Sequence, residues 1–149
     1  LANPGTPNVS QYINDAIKQR DFWMPFAGSV IAERAGDYFV HTKEMPAPYM
    51  IITFNTLPEK RETIRGAVHP KDYTTRPQMV YEEWNPSYYN LLKKYEELTG
   101  EAYILNTSFN IHGEPLVRTP LEAVDVFDRS GLPTLAIGNY LIEKKNLHI

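Results

Sequence analysis

Asn106-Thr107-Ser108-Phe109-Asn110-Ile111-His112-Gly113-Glu114-Pro115 follows directly on the apolar run Ala102-Tyr103-Ile104-Leu105. A buried strand that empties into amides, hydroxyls and a glycine reads as a strand ending at a site. Asn106, Thr107, Ser108 and Asn110 supply the polar groups, and Gly113 permits a backbone conformation that other residues resist. Such a loop can wrap an anion or a nucleotide edge. The plainer alternative, a polar turn capped by Asn and Ser, uses the same letters, so spacing alone leaves both readings open.

Outward from this stretch the elements alternate. Downstream, Thr119-Pro120-Leu121-Glu122 is a capping box with proline at the first helical position, predicting a helix that stops at Gly131. Short strands follow at 134–137 and 140–142, separated by a turn at Gly138-Asn139. Upstream, Asn85-Pro86 opens a helix whose apolar stripe of Tyr88, Leu91, Leu92, Tyr95 and Leu98 ends at Gly100. Earlier still, strands are predicted at 28–33, 38–41, 63–69 and 78–82, with 49–54, apolar on both faces, as a central one. Val9, Tyr12, Ile13, Ala16 and Ile17 predict a first helix ending near Lys18. Strands interleaved with helices point to an α/β fold, an open twisted mixed sheet with packed helices.

The 149 residues suit one domain with a real core, and 42% apolar content suits a folded globule. A formal charge of −3 disfavours a general nucleic-acid or anionic-membrane binder. With no cysteine, disulfides, thiolate metal sites and cysteine nucleophiles are excluded, and a cytoplasmic location fits. No run approaches the roughly 20 apolar residues of a membrane span. An opening Leu1 in place of Met leads us to expect a piece of a longer polypeptide.

Lys18, Arg20 and Arg76 could converge with Ser108 and Asn110 on a phosphate-bearing ligand. Arginine matches phosphate bidentately and lysine adds a point charge. The polar insert 69–77, which carries Arg76, is a second site candidate. Neither a P-loop nor a G-x-G-x-x-G occurs, Ser108 lacks a G-x-S-x-G context, and the four histidines show no short metal-ligand spacing.

Four stretches taken in order resemble a known family. They are Ile17-Lys18-Gln19-Arg20, Pro25-Phe26-Ala27-Gly28-Ser29-Val30, His69 with Asp72-Tyr73-Thr74-Thr75-Arg76-Pro77-Gln78, and 105–115. Together they resemble the C-terminal domain of the O-carbamoyltransferases of nodulation and antibiotic tailoring, with L-N-T-S-F-N-x-x-G-E-P the most specific element. The K-x-R and S-x-N pair is also similar to the YrdC-like domain of threonylcarbamoyl-adenylate synthases. The resemblance implies a YrdC-like domain that binds ATP, with Mg2+, and carbamoyl phosphate, and forms carbamoyl-adenylate. A larger N-terminal actin-like domain with a metal site, absent from this sequence, would move the carbamoyl group to a small-molecule hydroxyl.

Carried over by position, Lys18, Arg20 and Arg76 hold phosphate groups as the catalytic set. Ser108 and Asn110 bind phosphates or the carbamoyl group, Thr107 belongs to the same loop, and Ser29 lines the pocket. Asn106 is counted with them, although it and Glu114 serve to brace the loop. The sequence departs from the family at Met24, Gly28 and Tyr73, where arginine, proline and glycine are usual. The alternative is a non-catalytic nucleotide- or RNA-binding module on the same fold, for which the cations would lie along an open groove with exposed Trp23 or Trp84. A third possibility, a structural interaction domain, would scatter them.

Overall fold

A computed structural model describes residues 1–18, 24–40 and 45–145. The chain forms two compact units, one of Leu1–Ser10 with Pro25–Thr107 and one of Gln11–Met24 with Ser108–Ile149. Both mix helix with short strands, giving the α/β class expected.

In the first unit, β1 (Ala27–Ile31) lies between β5 (Gln78–Val80), which runs parallel to it, and β6 (Tyr103–Asn106), which runs antiparallel. This mixed sheet explains the apolar runs, since both of its faces are covered. Helix α2 (Pro86–Thr99) packs on β1 and β6, with Leu92 fully buried. It starts where the sequence placed it: the Asn85 side chain accepts from the Tyr88 amide, Pro86 follows, and Gly100 ends the helix with φ 77°.

A second, antiparallel sheet orders β2 (Phe39–Val40), β3 (Phe54–Thr56) and β4 (Thr74–Thr75). Phe39, Phe54 and Tyr103 share one core with Tyr38. The Tyr38 hydroxyl donates to Glu101 and accepts from the Ala102 amide, both at 2.7 Å, so a buried phenol is satisfied twice over. Burial, with that carboxylate beside it, pushes its ionisation well above the ordinary phenol range.

Two strand expectations are overturned. The segment 49–54 is not a central strand: only Phe54 joins a ladder, and Tyr49 and Ile51 are 75% and 74% exposed. Met50, at φ 56°, turns the chain out of the extended run. The segment 63–69 forms turns and a 3-10 stretch at Arg65–Ala67 instead. The Gly66 amide bonds the Pro4 carbonyl at 2.9 Å, and a side chain at this glycine would collide with that oxygen and with Val9. The strand expected at 78–82 ends at Val80, and Glu82 lies in a turn beyond it.

The second unit begins inside α1 (Val9–Ile13), which continues as a π-turn over Asn14–Lys18. Its other elements are α3 (Pro120–Arg129) and the hairpin of β7 (Thr134–Ile137) with β8 (Tyr140–Glu143), turned at Gly138 with φ 56°. The capping box is complete, Thr119 and Glu122 each accepting from the other's backbone amide. Among the described residues, Ile13, Ile17, Ile111, Ala123, Val126, Phe127 and Leu135 are its buried apolar side chains. The exit of α3 is fixed to the π-turn by a 2.6 Å bond from the Gly131 amide to the Ala16 carbonyl.

Candidate functional site

The π-turn ends at Lys18, only 3% exposed. Its Nζ lies 2.7 Å from the Ser108 carbonyl, 2.9 Å from Ser108 Oγ, 3.0 Å from the Asn110 carbonyl and 2.7 Å from Asn110 Oδ1. An ammonium has three protons to share, so four oxygens at these distances form a closely filled shell. Burying such a charge without partners costs several kcal/mol, and this shell offsets much of that cost. Ninety residues of sequence separate the lysine from the turn it organises.

Further bonds make the turn rigid. Ser108 Oγ donates to Asn110 Oδ1 at 2.6 Å, and Asn110 Nδ2 donates to the Glu114 carbonyl at 2.8 Å. The His112 amide returns to the Lys18 carbonyl at 3.0 Å, and Gly113 takes the left-handed φ of 83°. Glu114 receives both guanidinium arms of Arg129 from α3, at 2.8 and 2.9 Å. That pairing holds the Glu114 carboxyl below its ordinary range.

In the first unit, Ser29, fully buried on β1, donates to Gln78 Oε1 at 2.8 Å. Asn106 Nδ2 donates to Ser29 Oγ at 3.0 Å and to Gln78 Oε1 at 3.2 Å. The registers place all three on one sheet face, since Ser29 stands opposite Gln78, and Ala27, two residues before it, opposite Asn106. The loop thus leaves β6 from an anchored amide.

Arg76, just past β4, is exposed and lines a small cleft of about 190 Å3 with His69, Asp72, Thr74 and Phe26. Asp72 Oδ1 accepts from the Thr74 amide at 3.0 Å and from Thr74 Oγ1 at 2.8 Å, and these bonds depress the Asp72 carboxyl. The same oxygen lies 3.1 Å from His69 Nδ1, close enough for an ion pair but outside the alignment of a hydrogen bond. A larger hollow of about 560 Å3 in the same unit is bordered by Glu62, Arg65, Tyr95 and Glu101 and contains none of the candidate residues.

The structure therefore brings Lys18 to Ser108 and Asn110 in one unit, and Ser29 to Asn106 in the other. Arg76 sits in its own cleft within the first unit. Thr107 is half-buried beside Asn106, and Arg20 and Trp23 lie outside the described residues. Sequence reasoning missed Gln78, the His69–Asp72 contact and the Glu114–Arg129 tie. The i, i+3 spacing of His69 and Asp72 was a visible signal for one of these; the other two are long-range. Among the described residues, no group of three or more His, Asp or Glu could hold a metal ion, and no helix is long and apolar enough to cross a membrane.

Residues 1–144 match the family model described as carbamoyltransferase C-terminus. A protein of Methanocaldococcus jannaschii is 39% identical over 145 residues, covering 97% of this chain and 23% of that protein. The nodulation protein NolNO of Sinorhizobium fredii is 34% identical, with 97% of this chain and 21% of its own length covered. NolO of Bradyrhizobium diazoefficiens is 30% identical, with 97% and 26% covered. The chain spans about a quarter of the length of these relatives.

Proposed function

Since the chain belongs to the carbamoyltransferase C-terminus family, we propose that it binds ATP and carbamoyl phosphate and forms carbamoyl-adenylate. Transfer to a small-molecule hydroxyl falls, in this reading, to an N-terminal domain of the same enzyme. The observation that carries the proposal is the Lys18 ammonium, buried and bonded to both Ser108 and Asn110. It puts a positive charge at a fixed place in the loop, and positive potential is what attracts phosphate oxygens.

The reaction demands this kind of site. Carbamoyl phosphate takes up one water and gives up inorganic phosphate, leaving carbamate. A carbamate oxygen then bonds to the α-phosphorus of ATP as the bond to pyrophosphate breaks. Two anionic groups leave and no side-chain nucleophile is required, so the chain's work is to position, to neutralise charge and to exclude water. In this reading Lys18 and Arg76 neutralise phosphate charge together with Arg20. Ser108 and Asn110, with Thr107, orient the nucleotide phosphates or the carbamoyl group, and the Ser29–Gln78–Asn106 network holds the start of the loop. Magnesium would be held by the phosphates and water.

The test is incubation with ATP, Mg2+ and carbamoyl phosphate, followed by mass spectrometry for carbamoyl-AMP, alongside calorimetric titration of both ligands. We expect the product in wild type, and in Lys18→Ala and Arg76→Ala a loss of at least tenfold in affinity. Undiminished binding in both variants would remove these residues from the site. Failure of wild type to bind either ligand would remove the proposal.

A further inference from the structure

We infer that His69, steadied by Asp72, is the second anion-contacting side chain of the Arg76 cleft, and that this cleft accepts a single phosphoryl group. The inference rests on the reading of the chain as a binder of carbamoyl phosphate and ATP, and adds to it a residue and a size limit.

Size comes first. Pockets for drug-sized ligands run from about 300 to 1,000 Å3, and this cleft holds about 190 Å3. A phosphoryl group with a small substituent fits it whole, whereas a nucleotide could enter it only by a terminal phosphate.

Donors come next. Thr74 Oγ1 gives its proton to Asp72, and Thr75 Oγ1 gives its own to the Ala67 carbonyl at 2.6 Å. Of the polar side chains lining the cleft, Arg76, His69 and the Thr53 hydroxyl are then the ones to meet an anion. Asp72 sits against Nδ1 of His69, so Nε2 is the ring nitrogen turned away from that carboxylate.

The loop is built to keep this arrangement. The His69 amide bonds the Thr74 carbonyl at 2.8 Å, and the Tyr73 amide bonds the His69 carbonyl at 3.0 Å. Tyr73 adopts φ 58°, with the Arg61 guanidinium over its ring at 3.9 Å. A closed turn fastened at these points presents His69 and Arg76 without reordering on binding.

The charged and titratable groups facing the cleft are Asp72, His69 and Arg76. Asp72 alone would repel an anion, and Arg76 only balances it. With Asp72 against Nδ1, a bound phosphate meets the Arg76 guanidinium and takes a hydrogen bond from Nε2. The competing explanation is that His69 and Asp72 merely close the turn.

The test is calorimetric titration of the chain with carbamoyl phosphate, inorganic phosphate and ATP. His69→Ala, His69→Gln, Asp72→Asn and Arg76→Ala are compared with wild type. Glutamine keeps a donor near the position of Nε2, and asparagine keeps the Oδ1 that accepts from Thr74. We expect about a tenfold loss of carbamoyl-phosphate and phosphate affinity in His69→Ala, the size of one charge-assisted hydrogen bond. We expect partial rescue in His69→Gln and a smaller loss in Asp72→Asn, where the ring is less well held.

If His69→Ala binds like wild type while Arg76→Ala does not, His69 has no such role and the proposed function stands. Equal losses in His69→Ala and His69→Gln would make the pair structural only. If wild type binds none of the three ligands, the function falls and the inference with it.

Discussion

At Gly28, β1 passes so close to β6 that a Cβ there would stand 2.2 Å from Tyr103 Cε1 and 2.5 Å from the Ile104 carbonyl. Real side chains do not approach so near, and the carbonyl cannot rotate away without breaking the ladder. Gly28→Ala is therefore expected to destabilise the chain by about 1–3 kcal/mol, the usual cost of overpacking. Urea unfolding would show the midpoint falling with an unchanged slope, and an unaltered midpoint would mean that β1 has room to shift. The letter Gly28 could be read only as a departure from a family pattern, because the ring it accommodates arrives from β6, 75 residues later. Lys18 was more legible: its charge type and the polar turn at Ser108 and Asn110 suggested a meeting, and the two are in contact. What the letters did not carry is that both carbonyls of the turn also point at Nζ.

Helices were the readable elements, since their signals are local. Asn85-Pro86 with Gly100, and Thr119 with Glu122, lie within a few residues of the bonds they make. Strands need partners from elsewhere, so the apolar run 49–54 misled while the polar pair Thr74–Thr75 became β4 against β3. The tie between the 108–114 turn and α3 was equally hidden, because Arg129 reaches back to Glu114 across fifteen positions. The pair has a consequence for acid stability. Arg129 lowers the Glu114 carboxyl below its ordinary value of 4.5, so the folded state binds that proton less readily than the unfolded one. The stabilisation is fully present above that ordinary value and is lost as pH falls through the depressed one. Both side chains are more than a third exposed, so the effect is modest. Thermal melts from pH 6 to 3 should show a decline that is shallower in Glu114→Gln, and identical slopes would mean that the pair adds nothing.

For the whole molecule, charge sets the last constraint. Eighteen acidic against fifteen Lys and Arg residues leave a formal charge of −3, so the chain as a body repels a polyanion such as ATP. Binding must come from cations close to the phosphates, which act over a few ångströms. Raising salt from about 0.01 to 0.15 M shortens the Debye length from about 30 to about 8 Å, relieving the distant repulsion while leaving the closest contacts only partly screened. On its own, that relief would strengthen binding. Release of ions from the phosphates and competition at exposed Arg76 act the other way, with the buried Lys18 largely shielded from both. We therefore expect ATP affinity to fall only a few-fold across this range, and the fall to be smaller in Arg76→Ala, where the exposed cation is gone. Calorimetry at four salt concentrations measures both slopes. An affinity that rises with salt in wild type would mean that body-wide repulsion outweighs any local cation, and the cation-built site would have to be given up.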